Sequence, residues 1–209
     1  MLSVPECIRK ASGIIIFGKR IKSIVFSTDV AIIRNTNADA VIAVYPFTPQ
    51  SVITQALMSA ADIPVFCGVG GGLTQGKRVT NLALHAENQG AIGVVVNAPT
   101  SNEVISKIAA TVDIPIVVTV VGVQDDTAGR LEAGAGIFNV SAAAETASVV
   151  AAIRERHPDA AIIATGGPTE ASIIKTIEAG ANAITWTPPA NGELFRELMD
   201  RYRKGLPHP

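Results

Sequence analysis

Four times along the chain, spaced by about a quarter of its length, a small-residue pair leads into an apolar run that ends in polar residues. The pairs are Asn37-Ala38, Gly90-Ala91, Gly134-Ala135 and Gly180-Ala181, leading to Val41, Val94, Phe138 and Ile184. A second kind of run falls between them, as Asp62-Ile63-Pro64-Val65, Asp113-Ile114-Pro115-Ile116 and the looser Asp159-Ala160-Ala161-Ile162. Short Val/Ile-rich segments bounded by Gly, Pro or polar residues predict buried strands. They are expected at Lys22–Thr28, Ala40–Tyr45, Ile63–Val69, Ile92–Asn97, Ile114–Val121, Gly136–Val140, Ala161–Thr165 and Ala183–Thr187. Two alternating strand types, each followed by a helical stretch, predict an α/β fold, a single (βα)8 TIM barrel built from quarter units. Thr48 before Pro49, and Thr100-Ser101-Asn102-Glu103, mark helix starts. Residues 1–20 precede the barrel. There a short helix and the apolar Gly13-Ile14-Ile15-Ile16-Phe17-Gly18 are expected to close its bottom.

Strand side chains alternate between faces, so polar residues near strand ends reveal which parity points into the barrel mouth. Val95/Asn97, Asn139/Ser141 and Thr185/Thr187 share one parity on the even strands, and Thr119 and Thr165 match it on the odd ones, with Gly68 at the equivalent place. The expected mouth is a ring of neutral hydrogen-bonding groups in which Asn97, Asn139 and Thr185 converge on one pocket with a single carboxylate, Asp29. Cys67 falls one residue off this register and is expected behind the wall as a small hydrophobe. Trp186 takes the outward parity too.

Composition sharpens the picture. The chain has 209 residues, 48% of them hydrophobic but only 4% aromatic, which suits one core of parallel strands under Ala-rich helices. A formal net charge of −1 argues against nucleic acid or an anionic membrane as a bulk partner. No apolar run approaches the roughly 18 residues of a spanning helix, and Met1-Leu2-Ser3-Val4-Pro5-Glu6 lacks the shape of a secretion signal. Two cysteines, Cys7 and Cys67, make no disulfide or zinc framework. The expectation is one cytoplasmic domain over 1–209, with a frayed tail at 202–209 and a homo-oligomer left open.

Asp29 is the sharpest acid–base candidate, because barrel catalytic groups sit at strand C-termini. Its structural alternative is the N-cap of the following helix. Gly70-Gly71-Gly72-Leu73-Thr74-Gln75-Gly76-Lys77-Arg78 has the shape of a phosphate-cradling loop. Arg78, however, stands where a nucleotide P-loop needs a magnesium-binding hydroxyl, which excludes a nucleoside triphosphatase. Lys77 and Arg78 are instead expected to reach over an anionic substrate, or to be a solvated helix start. No strand lysine sits at the mouth and no His or carboxylate cluster marks the strand ends, so neither Schiff-base chemistry nor a metal or cofactor site is expected.

Thr165-Gly166-Gly167-Pro168-Thr169 resembles the phosphate-binding turn of the ribulose-phosphate-binding barrels, a superfamily that includes phosphosugar epimerases. The resemblance implies that Gly166 and Gly167 hold a substrate phosphate together with the start of the last helix. After the eighth strand the chain departs from that pattern with Thr187-Pro188-Pro189-Ala190-Asn191-Gly192, leaving the amides of Ala190, Asn191 and Gly192. Val25-Phe26-Ser27-Thr28-Asp29 and Phe66-Cys67-Gly68-Val69-Gly70-Gly71-Gly72 are similar to segments of small bacterial barrels loosely labelled hydrolases. The expected function is metal-free acid–base catalysis on a small anionic, phosphorylated metabolite. The alternatives are a hydrolase using Asp29-activated water or Cys67 as nucleophile, and a non-catalytic ligand-binding sensor.

Overall fold

The computed structural model describes residues 1–207. Eight parallel strands close into a barrel: β3 (Ser23–Phe26), β4 (Ala40–Ala43), β5 (Val65–Gly70), β6 (Gly93–Val96), β7 (Ile116–Val120), β8 (Ile137–Val140), β9 (Ala161–Thr165) and β10 (Ala183–Trp186). β10 pairs with β3, so the sheet has no edge. Each strand is followed by a helix: α1 (Val30–Arg34), α2 (Ser51–Ala60), α3 (Lys77–Asn88), α4 (Asn102–Ala109), α5 (Thr127–Glu132), α6 (Thr146–Arg156), α7 (Glu170–Glu178) and α8 (Asn191–Arg203). The TIM barrel expected from the repeats is the fold observed.

Period-two alternation divides the core in two. Ile24, Ile42, Phe66, Val95, Val117 and Ile163 belong to a cluster filling the barrel, while Val25, Val41, Cys67, Val94, Val118 and Ala164 pack outward beneath the helices. Burial on both faces explains why the strands are continuous Val/Ile runs.

The bottom is closed by a β-hairpin where the sequence suggested only an apolar segment. A 3-10 turn at Glu6–Lys10 supplies the expected short helix, and β1 (Ile14–Ile16) pairs antiparallel with β2 (Lys19–Ile21). Ile14, Ile16 and Ile21 join the barrel-filling cluster as its plug. Phe17 and Gly18 form the two-residue connection with φ of 47° and 79°, the positive values that a hairpin turn of this length demands.

Two other expectations shift. α2 starts at Ser51 behind Gln50, so Pro49 is not its first residue; the Gln50 N–H donates instead to Tyr45 Oη at 2.9 Å. α8 continues through Tyr202 and Arg203, inside the expected tail, whose last residues, 208 and 209, lie outside the described residues. No described helix is long and apolar enough to cross a membrane.

Candidate functional site

The parity read from the sequence matches the barrel's. Thr119 stands opposite Asn139 on β7 and β8, and Thr165 opposite Thr185 on β9 and β10. Each lies two residues beyond a member of the interior cluster (Val117, Ile137, Ile163 and Ala183) and therefore faces inward at the C-terminal mouth. Asn139 Nδ2 reaches Thr119 Oγ1 at 3.5 Å, the limit of a hydrogen bond, and Thr165 Oγ1 lies 3.3 Å from Thr146 Oγ1. Ser141, one step further out, is exposed.

The two ends of the barrel differ in how their polar groups are satisfied. At the bottom, Asp39 Oδ2 accepts from the Lys22 and Ser23 N–H groups and from Ser23 Oγ, each at 2.9 Å. Arg154 donates to Pro158 O, Ala160 O, Gly180 O and Asn182 Oδ1. Such a saturated network holds strands together. At the mouth, Asn139 Oδ1 and Thr185 Oγ1 are buried with no partner among the described residues, and so is Thr74 Oγ1 in the loop after β5. The other unpartnered atoms, Thr80 Oγ1 and His85 Nε2, belong to α3 in the helix layer. A buried polar atom without a partner is costly, and at the mouth a water or a ligand group can satisfy it.

Asp29 follows β3 and caps α1: its Oδ1 accepts from the Ala31 and Ile32 N–H groups at 2.8 and 3.2 Å. Its Oδ2 accepts from Asn191 Nδ2 at 3.0 Å, joining the first barrel loop to the start of α8. Oδ1 is thereby filled, while Oδ2 keeps one lone pair free for a further donor.

A groove of about 800 Å³ runs from the β9–β10 corner, where Thr165, Gly167 and Thr185 line it, out to Pro5, Ile173 and Trp186 of the outer layer; Asp29 and Asn191 are not among its lining residues. The structure removes Gly166 from the expected anion-binding set. Its N–H is donated to Thr185 O at 3.3 Å, and a side chain there would collide with Ile173 and Ile184. Among the described residues, Gly167, with φ of 79°, keeps an N–H without a partner, as do Asn191 and Gly192 in the first turn of the 13-residue α8. Ala190 is lost from the set, because its N–H donates to Glu193 Oε2 at 2.8 Å. Glu170 and Glu193 add carboxylates to the groove wall and narrow where an anion can sit.

Lys77 and Arg78 do not reach the mouth. Both are exposed at the start of α3, line neither cavity and make no ion pair among the described residues. Their backbone belongs to the helix start, which turns the side chains to solvent.

Asn97 and Thr185 line different cavities and Asn139 lines neither of them, so the single convergent pocket expected from parity is not what the structure shows. Asn97 lines a second cavity of about 180 Å³ over β4, β5 and β6, together with Gly68, Thr74, Val95, Tyr45 and Phe47. Sequence reasoning missed Thr74 and Tyr45. Their loops carry no periodic signal, although a glycine at the inward position of β5 indicated an opening there.

Cys67 packs outward at 2% exposure, with Sγ 4.0 Å from Met58 Sδ. Burial pushes its thiol up to about 12, so it is no nucleophile at neutral pH. Trp186 packs into the outer layer as its parity implied.

Neither a protein-family model nor a curated protein matches the chain. Among solved structures it is similar to phosphonopyruvate hydrolase in complex with oxalate and Mg++, at a TM-score of 0.68 and 14% identity, over 89% of this chain and 83% of that one. It is also similar to phosphoenolpyruvate phosphomutase from Streptomyces platensis subsp. rosaceus, at 0.67 and 13%, over 95% and 86%. A mandelate oxidase aligns equally well, at 0.68 and 15%, over 85% and 68%. Likeness at this level shows the TIM barrel alone and does not single out the ribulose-phosphate-binding type. The phosphonopyruvate hydrolase holds Mg++; in this chain no three His, Cys, Asp or Glu side chains gather into a metal-holding group among the described residues. Asp29, in the loop after β3, lines neither cavity, and its carboxylate is already bonded to Asn191.

Proposed function

We propose that the mouth binds a small anionic metabolite and turns it over by acid–base chemistry, with Asp29 as the proton carrier. The observation that supports this most is the pair of buried, unpartnered atoms, Asn139 Oδ1 and Thr185 Oγ1, on the inward face where barrel ligands bind. Asn139 Oδ1 calls for a donor on the ligand, a hydroxyl or an amide, and the Thr185 hydroxyl can give or accept. The free N–H groups of Gly167, Asn191 and Gly192 offer the anion a place at the neighbouring corner. A phosphate or a carboxylate suits them, and the substrates named for two structural neighbours, phosphonopyruvate and phosphoenolpyruvate, are both small and anionic. The ribulose-phosphate-type site survives only in this reduced form, without Gly166. Asp29 Oδ2 has its remaining lone pair for a substrate proton, while its cap bonds and Asn191 hold it in place.

A second reading is a ligand-binding barrel without turnover. It is favoured by the same bonds, since a carboxylate occupied by a helix cap and by Asn191 also has a purely structural role. A hydrolase reading now rests on Asp29-activated water.

Asp29→Asn separates the readings, because Asn caps a helix as well as Asp does and the fold survives. Wild-type and variant proteins are assayed for binding and turnover of small phosphorylated and carboxylated acids. The enzyme reading expects unchanged affinity with turnover reduced by about 100-fold or more. Turnover that persists in the variant would remove Asp29 from the chemistry, and binding without turnover in the wild type would establish the sensor.

A further inference from the structure

The cavity over β4, β5 and β6 is built differently from the anion corner. The two lie on opposite sides of the mouth, since β5 and β9 are four strands apart in an eight-strand ring. Gly68 lines the cavity. It occupies the inward position at the level where β6 carries Val95, and it presents only backbone. An added Cβ would meet Ala43 O at 3.1 Å and Val44 Cγ2 at 3.2 Å, so β4 packs closely beside Gly68 and leaves no room for a side chain there. Val44 and Val95 give it apolar sides, with Tyr45 and Phe47 as aromatic ones. Phe47 and Leu73 stand at the rim at 72% and 88% exposure, free to fold over an occupant.

Two polar groups break this apolar lining. The Asn97 carboxamide has no hydrogen-bond partner among the described residues; the bonds at this residue are made by its backbone, whose N–H donates to Gly70 O and whose carbonyl accepts from Thr100. Thr74 is 5% exposed and its Oγ1 is likewise unpartnered. A carboxamide presents one acceptor and one donor side by side, which complements an adjacent C=O and N–H on a flat ring. The volume of about 180 Å³ suits one such ring, given that a cavity of roughly 150 Å³ takes up benzene.

We infer that this cavity is a subsite for a single planar ring bearing a cyclic amide edge, paired with Asn97 and covered by Phe47 and Leu73. The inference deepens the proposed function: the metabolite would carry its anion towards β9–β10 and a flat, amide-edged group towards β5.

The test uses a neutral probe, so it does not depend on the anion corner or on turnover. Pyridone, with its C=O and N–H adjacent, is titrated into isotope-labelled full-length protein, with N-methylpyridone as the edge-blocked control. The inference expects saturable millimolar binding that shifts the Asn97 side-chain amide and the Leu73 methyls. Asn97→Ala, which removes a side chain with no partner in the fold, should weaken binding about tenfold, the loss of one hydrogen-bonded pair. Leu73→Ala and Phe47→Ala, at exposed positions, should weaken it as well. Absence of shifts at Asn97, equal binding of N-methylpyridone, or full affinity in Asn97→Ala would each overturn the subsite and leave the anion reading untouched. Loss of anion binding with the pyridone result intact would do the reverse.

Discussion

Thr185 Oγ1 sits at a buried inward position with no partner, and such an atom destabilises the fold by about 1–3 kcal/mol. Thr185→Val keeps the shape and removes the liability. Urea denaturation should therefore show stability unchanged or raised by up to about 1 kcal/mol, while ligand affinity falls. A loss of more than that would mean the hydroxyl is bonded within the fold. The opposite case is Cys67, whose thiol is buried and raised to about 12. The folded state keeps its proton where an unfolded thiol, near pH 9, gives it up. This contribution is complete below pH 9 and is lost between about 9 and 12, so stability should decline with rising pH there. Thiol reagents at neutral pH should label Cys67 only as the protein unfolds; rapid native labelling that a mouth ligand suppresses would reverse the parity.

At the scale of elements, the hairpin β1–β2 and the helix α8 mark what the sequence could and could not disclose. Strand faces were legible because a period of two makes Thr119, Asn139, Thr165 and Thr185 fall on one side regardless of exact strand ends. β1 and β2 have three residues each, too few for alternation to stand out from an apolar run. The Gly166 amide illustrates a deeper limit. A glycine pair resembles a phosphate turn in sequence, yet which N–H is spent in the sheet is decided by strand pairing. The Asp29–Asn191 bond joins residues 162 positions apart and has no local signal. The plug itself is testable: Ile21 is 1% exposed, and Ile21→Ala should destabilise the protein by about 2–5 kcal/mol. Ligand binding by the remaining folded fraction should be unchanged, as the hairpin lies at the end opposite the mouth.

For the molecule as a whole, the asymmetry between a saturated bottom and a mouth with unpartnered groups is what the proposed function rests on. The structural relatives include a hydrolase, a mutase and an oxidase, so the barrel as such favours no reaction. What belongs to this chain is a mouth that carries the proposed anion corner at β9–β10, two unpartnered polar atoms on β8 and β10, and a largely apolar cavity over β4 to β6. The most direct test of anion binding at this mouth is an amide-resolved NMR titration with inorganic phosphate. Binding at the proposed corner predicts saturable shifts centred on the backbone amides of Gly167, Asn191 and Gly192, with Gly166 little affected because its N–H is held by Thr185 O. Shifts confined to the exposed Lys77 and Arg78 region, or none that saturate, would contradict it.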